Sequence, residues 1–166
     1  KYQINKEFEI TKNNFDVVLS SGLIFKSSII KKVGYLDEDF GIGGKYGASE
    51  EADYVLRFLK NNFNGFYTPT IKIFHPKFNP NSFSNIKELK IKFFNYGRGR
   101  GALLLKHAKF LGINILILQF IIRILLVFYS IIKFDKNNYY KNLNLLNGMY
   151  LVYFKKDLWR FLYWVI

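Results

Sequence analysis

The chain has 166 residues, half of them hydrophobic and 19% aromatic, with a net charge of +13 and no cysteine. That is enough apolar material for one modest domain core. The lack of thiols excludes disulfides and thiolate metal sites.

The charge is unevenly placed. Residues 1–60 balance nine basic against nine acidic side chains, while residues 61–166 hold sixteen against three. A neutral front and a basic, apolar rear point to an anionic membrane surface. They speak against nucleic acid, because duplex binding does not call for an apolar run such as Leu111–Ile132.

In chain order, residues 1–14 are polar and read as a loop. The first ten lack the apolar run of a signal peptide. Phe15–Phe25 (FDVVLSSGLIF) holds two short β-branched runs around Ser20, Ser21 and Gly22, which predicts strand, break, strand. Ser27 is the expected cap of a short helix that Gly34 ends. Asp37, Glu38 and Asp39 follow, then Gly41, Gly43, Gly44 and Gly47. Glycine accepts positive φ and lets a ligand approach the backbone, so this segment predicts a loop at a site.

Ser49 is the expected cap of the next helix, with Glu50 and Glu51 in a first turn that favours negative charge. Ala52, Val55, Leu56 and Leu59 have helical apolar spacing. Glu50 and Asp53 share a face, and Arg57 lies four residues beyond Asp53, within reach of an ion pair. Taken alone, this is an ordinary acidic helix start with a surface pair. Beside a glycine loop, a carboxylate can also act as a general base on a hydroxyl. Phe66–Phe74 alternates as a strand that ends at His75.

A basic helical pattern over Ile86–Phe110 is interrupted by Gly97, Gly99 and Gly101. Within it, His107 reads as structural or lipid-facing. Leu111–Ile132 follows as the most apolar run, then a polar break over Lys133–Asn144 and a second apolar stretch from Leu145. As a helix, Leu111–Ile132 would be roughly 33 Å long, close to the thickness of a bilayer core. Its Leu, Ile, Val and Phe residues favour insertion, whereas Arg123 near the centre costs about 2.5–3.5 kcal/mol. Asn114 and Gln119 add further cost, and the sum is close to zero or mildly favourable. A span, an in-plane helix and a buried helix all remain open.

The order of these motifs resembles the C-terminal half of a family 2 glycosyltransferase of the GT-A type. The residues that carry the likeness are Ser21-Gly22-Leu23-Ile24-Phe25, Val33-Gly34-Tyr35-Leu36-Asp37-Glu38, Gly41-Ile42-Gly43-Gly44, Glu50-Glu51-Ala52-Asp53 with Arg57, and Ile73-Phe74-His75-Pro76. Tyr96-Gly97-Arg98-Gly99-Arg100-Gly101, with Lys106-His107, is similar to the tail of bacterial polysaccharide-assembling members. The likeness covers about Phe15–Phe110.

The resemblance implies an α/β fold: a partial GT-A, Rossmann-like domain over residues 1–80, without its nucleotide-binding half. A basic linker helix over 81–110 and a membrane-associated helical tail over 111–166 would follow. It implies an inverting transfer of sugar from a nucleotide-sugar donor to a glycan or lipid-linked acceptor at a membrane. The basic residues, denser before Leu111–Ile132 than after it, favour a cytoplasmic catalytic side. Glu51 falls where the family has its catalytic base, often an Asp, and Glu50 and Asp53 would shape the acceptor site or hold the helix start. Asp37, Glu38, Gly43, Gly44 and Arg57 fall on the substrate side. His75 matches a histidine that reaches the divalent metal (Mg or Mn) or the diphosphate. The family's Asp-x-Asp metal motif has no match here in the right place. The expectation is therefore a truncated or split transferase, inactive alone. The alternative is a non-catalytic membrane-associated scaffold or subunit.

Overall fold

The computed structural model describes residues 5–74 and 86–154. Among these, 65% are helical and 4% lie in strands. They fall into two compact units, one of residues 5–38 with 50–74 and one of residues 39–49 with 86–154.

The first unit holds the only sheet among the described residues. Strand β1 (Phe8–Ile10) pairs antiparallel with β2 (Gly65–Tyr67). Phe8 stacks on its partner Tyr67, their ring centroids 4.9 Å apart. Helix α1 (Ser27–Val33) stops because Gly34 takes φ +83 and closes its N–H onto the Ile30 carbonyl at 2.8 Å, a left-handed exit that costs glycine little. Helix α2 (Glu50–Lys60) buries Ala52, Tyr54, Val55 and Leu56, and the chain turns away at Asn62 with φ +59. Ile10, Phe15 and Val33 are the other buried apolar residues of this unit.

Two three-residue strands do not make the α/β, Rossmann-like domain that the resemblance implied, and that expectation is corrected. Phe15–Phe25 forms two single-turn 3-10 helices, Phe15–Val17 and Ser20–Gly22. The expected strand Phe66–Phe74 is reduced to Gly65–Tyr67. Beyond it, Thr68 bonds to Glu7 at 2.7 Å and to Thr70 at 2.8 Å, and Pro69 has no N–H to give a ladder. A run of β-branched residues becomes a strand only where another strand meets its N–H and C=O groups.

The second unit is helical: α3 (Ile86–Lys106), α4 (Ala108–Leu111), α5 (Ile113–Ile132) and α6 (Lys136–Phe154). Helix α3 runs unbroken through Gly97, Gly99 and Gly101, contrary to the expected interruption. A Cβ at Gly97 would fall on the Leu145 carbonyl, and one at Gly148 on the Phe94 carbonyl. Gly101 lies against Met149, 3.2 Å from where its own Cβ would be. At Gly97 and Gly148 backbones this close exclude any side chain, which outweighs the roughly 1 kcal/mol that each helical glycine costs, while at Gly101 a side chain would be tight against Met149. Lys90 sits over the Tyr140 ring, Gly97 beside Leu145 and Gly101 beside Val152. The two helices are therefore parallel. Gly99 instead admits Ala48 of the 39–49 segment. Phe40 of that segment is buried, next to Tyr46 and beneath Lys106.

Gly112, at φ +95, separates α4 from α5. Helix α5 returns antiparallel to α6: the Phe120 ring meets Tyr153 at 5.5 Å, and Asn142 donates to the Ser130 hydroxyl at 3.2 Å. The polar break expected over Lys133–Asn144 shrinks to residues 133–135. Asp135 accepts from the Asn138 N–H at 3.0 Å and from its side-chain amide at 2.6 Å, and this cap starts α6 early. Helix α5 is long and apolar enough to cross a membrane, and only Val127 and Ser130 on it are buried.

Candidate functional site

The acidic turn sits at the start of α2. Ser49 has φ +82, outside the extended region that a capping residue occupies. Glu50 and Glu51 are half-buried, and Asp53 one turn on is fully buried. Burial pushes the Glu51 carboxyl above its ordinary value of 4.5; its own backbone N–H offsets part of this, and the Glu50 charge adds to the rise. Each effect has a plain cause: desolvation and a like charge disfavour the anion, and a donated hydrogen bond favours it.

Asp53 has a different partner. Its Oδ2 accepts from Arg57 Nε at 2.8 Å, with the Asp53 side chain 0% exposed and that of Arg57 20% exposed. Arg57 also donates through Nη1 to the Val33 carbonyl at 2.6 Å and through Nη2 to the Tyr35 carbonyl at 2.8 Å. One guanidinium thus ties α2 to the end of α1 and to the exit toward Asp37 and Glu38. The spacing in the sequence gave this pair; its burial and its two carbonyl partners came only with the fold. Asp53 and Arg57 are engaged in architecture, and Arg57 positions the strip that begins at Tyr35.

Asp37 on that strip is half-buried and Glu38 is exposed. Gly43 and Gly44 belong to the helical unit. Gly43 is exposed at φ +88 with open space where a Cβ would stand, and Gly44 closes a turn on the Gly41 carbonyl at 3.0 Å. His75 lies outside the described residues. His107 is buried and precedes α4. Among the described residues, no group of three or more His, Asp or Glu gathers as a metal site, so no step is assigned to the expected Mg or Mn.

In the acidic turn, then, the fold brings together one carboxyl with raised proton affinity, a neighbouring acid and a rigid support. Such a group, half-buried at a helix start, can take a proton from a hydroxyl. No protein-family model, curated protein or solved structure matches the chain.

Proposed function

We propose that this chain supplies the acceptor side of an inverting sugar transfer at a membrane, with Glu51 as the base. The acceptor oxygen would attack the anomeric carbon as its proton passes to Glu51. The bond to the nucleoside diphosphate breaks, and the diphosphate leaves with the electron pair. A donor-binding unit outside the described residues would hold the nucleotide-sugar. The observation that carries the reading is the half-buried Glu51 carboxyl, whose proton affinity is raised by burial and by Glu50; a base works best when its pKa approaches the working pH. The order of motifs from Ser21 to His75 supports the reaction class. The exposed apolar surface of α5 supports the membrane setting.

The test expresses the chain together with the coding sequence around it and supplies membranes with radiolabelled nucleotide-sugars. Glu51→Gln should lower transfer by about a hundredfold or more while nucleotide binding persists. Activity within a few-fold of the unsubstituted protein would remove Glu51 from the role. The isolated 166-residue chain should not turn over donor; turnover would show that the donor site is present after all.

A second reading is a non-catalytic membrane-associated subunit. The Asp53–Arg57 clamp favours it, because two members of the acidic motif are engaged in holding α1 to α2. In that case Glu51→Gln leaves transfer unchanged.

A further inference from the structure

Helix α5 has two contrasting sides. Ile117, Ile121, Leu125, Phe128 and Ile132 recur at helical spacing and are all exposed, forming an apolar strip along the outside of the bundle. On the other side of the helix, Arg123 faces a polar groove between α5 and the start of α6, which contributes Asn138 and Lys141; Tyr129 and Lys133 also line this groove and lie between Arg123 and the strip. The groove encloses about 450 Å³. Its cations are Arg123, Lys133 and Lys141, against one carboxylate, Asp135. That carboxylate is already engaged by the backbone and side chain of Asn138 at the head of α6. The groove is therefore positive on balance, and it reaches the exposed apolar surface of α5 at its Tyr129 and Lys133 edge. Lys133 stands 6.0 Å from the centre of the Tyr129 ring, the aromatic–lysine pairing suited to a membrane interface.

We infer that the groove binds the phosphate or diphosphate headgroup of a lipid whose hydrocarbon tail lies along the exposed strip of α5. Arg123 gives a planar, permanently charged fork suited to phosphate oxygens. Lys133 and Lys141 add point charges, and the amide of Asn138 lies beside them in the lining. The occupant is a lipid rather than a free phosphate, because the Tyr129 and Lys133 end of the groove meets an exposed apolar surface that a soluble anion would leave bare. The same placement accounts for Arg123 in the middle of an apolar run: it faces the groove, not the hydrocarbon. This site does not depend on the transfer chemistry of Glu51, so either can fail alone.

The experiment is co-sedimentation of the full chain with phosphatidylcholine vesicles that contain or lack phosphatidic acid. The double variant Arg123→Gln/Lys141→Gln should weaken binding to the phosphatidic-acid vesicles by about tenfold. Lys87→Gln/Lys109→Gln, which removes the same charge from exposed sites on α3 and α4, should weaken it by less than about threefold. Equal losses in the two variants, or no loss in the first, would overturn the site in favour of general charge attraction. Should the first variant fold poorly by circular dichroism, Lys133→Gln in the short connection before α6 replaces it with the same expectation. Inorganic phosphate should neither displace the chain from vesicles nor raise its Tm; if it does both, the ligand is a soluble phosphate and the lipid assignment falls.

Discussion

The two units of this chain are held together by different physics. In the first, short helices and a two-strand ribbon are fastened by a buried charge pair, Asp53–Arg57, whose guanidinium also serves two carbonyls. In the second, long helices meet backbone to backbone at glycines, with Leu103, Leu104 and Met149 filling the interior. The first arrangement depends on polar partners being complete. The second depends on the absence of side chains. A substitution that one unit would tolerate is therefore destructive in the other.

The sharpest test of that contrast is Gly148→Leu. The new side chain collides with the α3 backbone rather than with a movable side chain, so α3 and α6 cannot dock. Loss of amide protection in both helices by hydrogen exchange is the expected result, at a cost of about 3 kcal/mol or more. Retained protection would mean that the helices can slide apart cheaply. Next is Arg57→Met, which takes the guanidinium away from the buried Asp53 carboxylate. A cost of about 3 kcal/mol in urea unfolding is expected. Asp53→Asn/Arg57→Met should recover part of it, because the buried charge is gone; no recovery would mean that the carbonyl contacts of Arg57 matter more than the ion pair.

Smaller effects come from the acids at helix starts, and they have opposite signs. The two bonds from Asn138 hold the Asp135 carboxyl below its ordinary value of 3.8. Its stabilising contribution is therefore present above that value and disappears as pH falls through the lowered one. Asp135→Ala should lower Tm at pH 7 and lose its effect in acid. Glu51 is raised above 4.5, so its charge works against folding once the pH climbs past that value. Glu51→Gln should raise Tm slightly at pH 7, and the gain should vanish below about pH 4.5. A gain that persists in acid would mean that burial of the charge is not its source.

How much of this was legible in the sequence depended on the range of the cause. Gly34 as a helix end, the acids opening α2 and the apolar run that becomes α5 were all readable, because capping, dipole and periodicity act within a few residues. The sheet was misjudged because strands exist only in pairs, and Phe15–Phe25 finds no partner strand among the described residues. Gly97 looked like a break because the backbone that demands it belongs to another helix. The clamp at Arg57 was half visible: its pairing with Asp53 follows from spacing, whereas its reach to Val33 and Tyr35 depends on how α1 lies. The acids at Glu50 and Glu51 were legible as a candidate site. Arg123, read from the sequence as a cost to membrane insertion, became intelligible only with the groove beside α6.

The parallel contact of α3 with α6 also sets an order of assembly. Two parallel helices need a returning segment between them, and here that segment is α4 and α5. When α3 leaves the ribosome, its glycine face has no partner until the last described helix is made. Closing so long a loop is slow compared with local helix formation. In the interval the apolar strip of α5 is exposed too, so the nascent chain is most prone to aggregation just before α6 arrives. Early engagement of α5 by a lipid surface would shelter that strip and hold the returning segment in place for the final docking step.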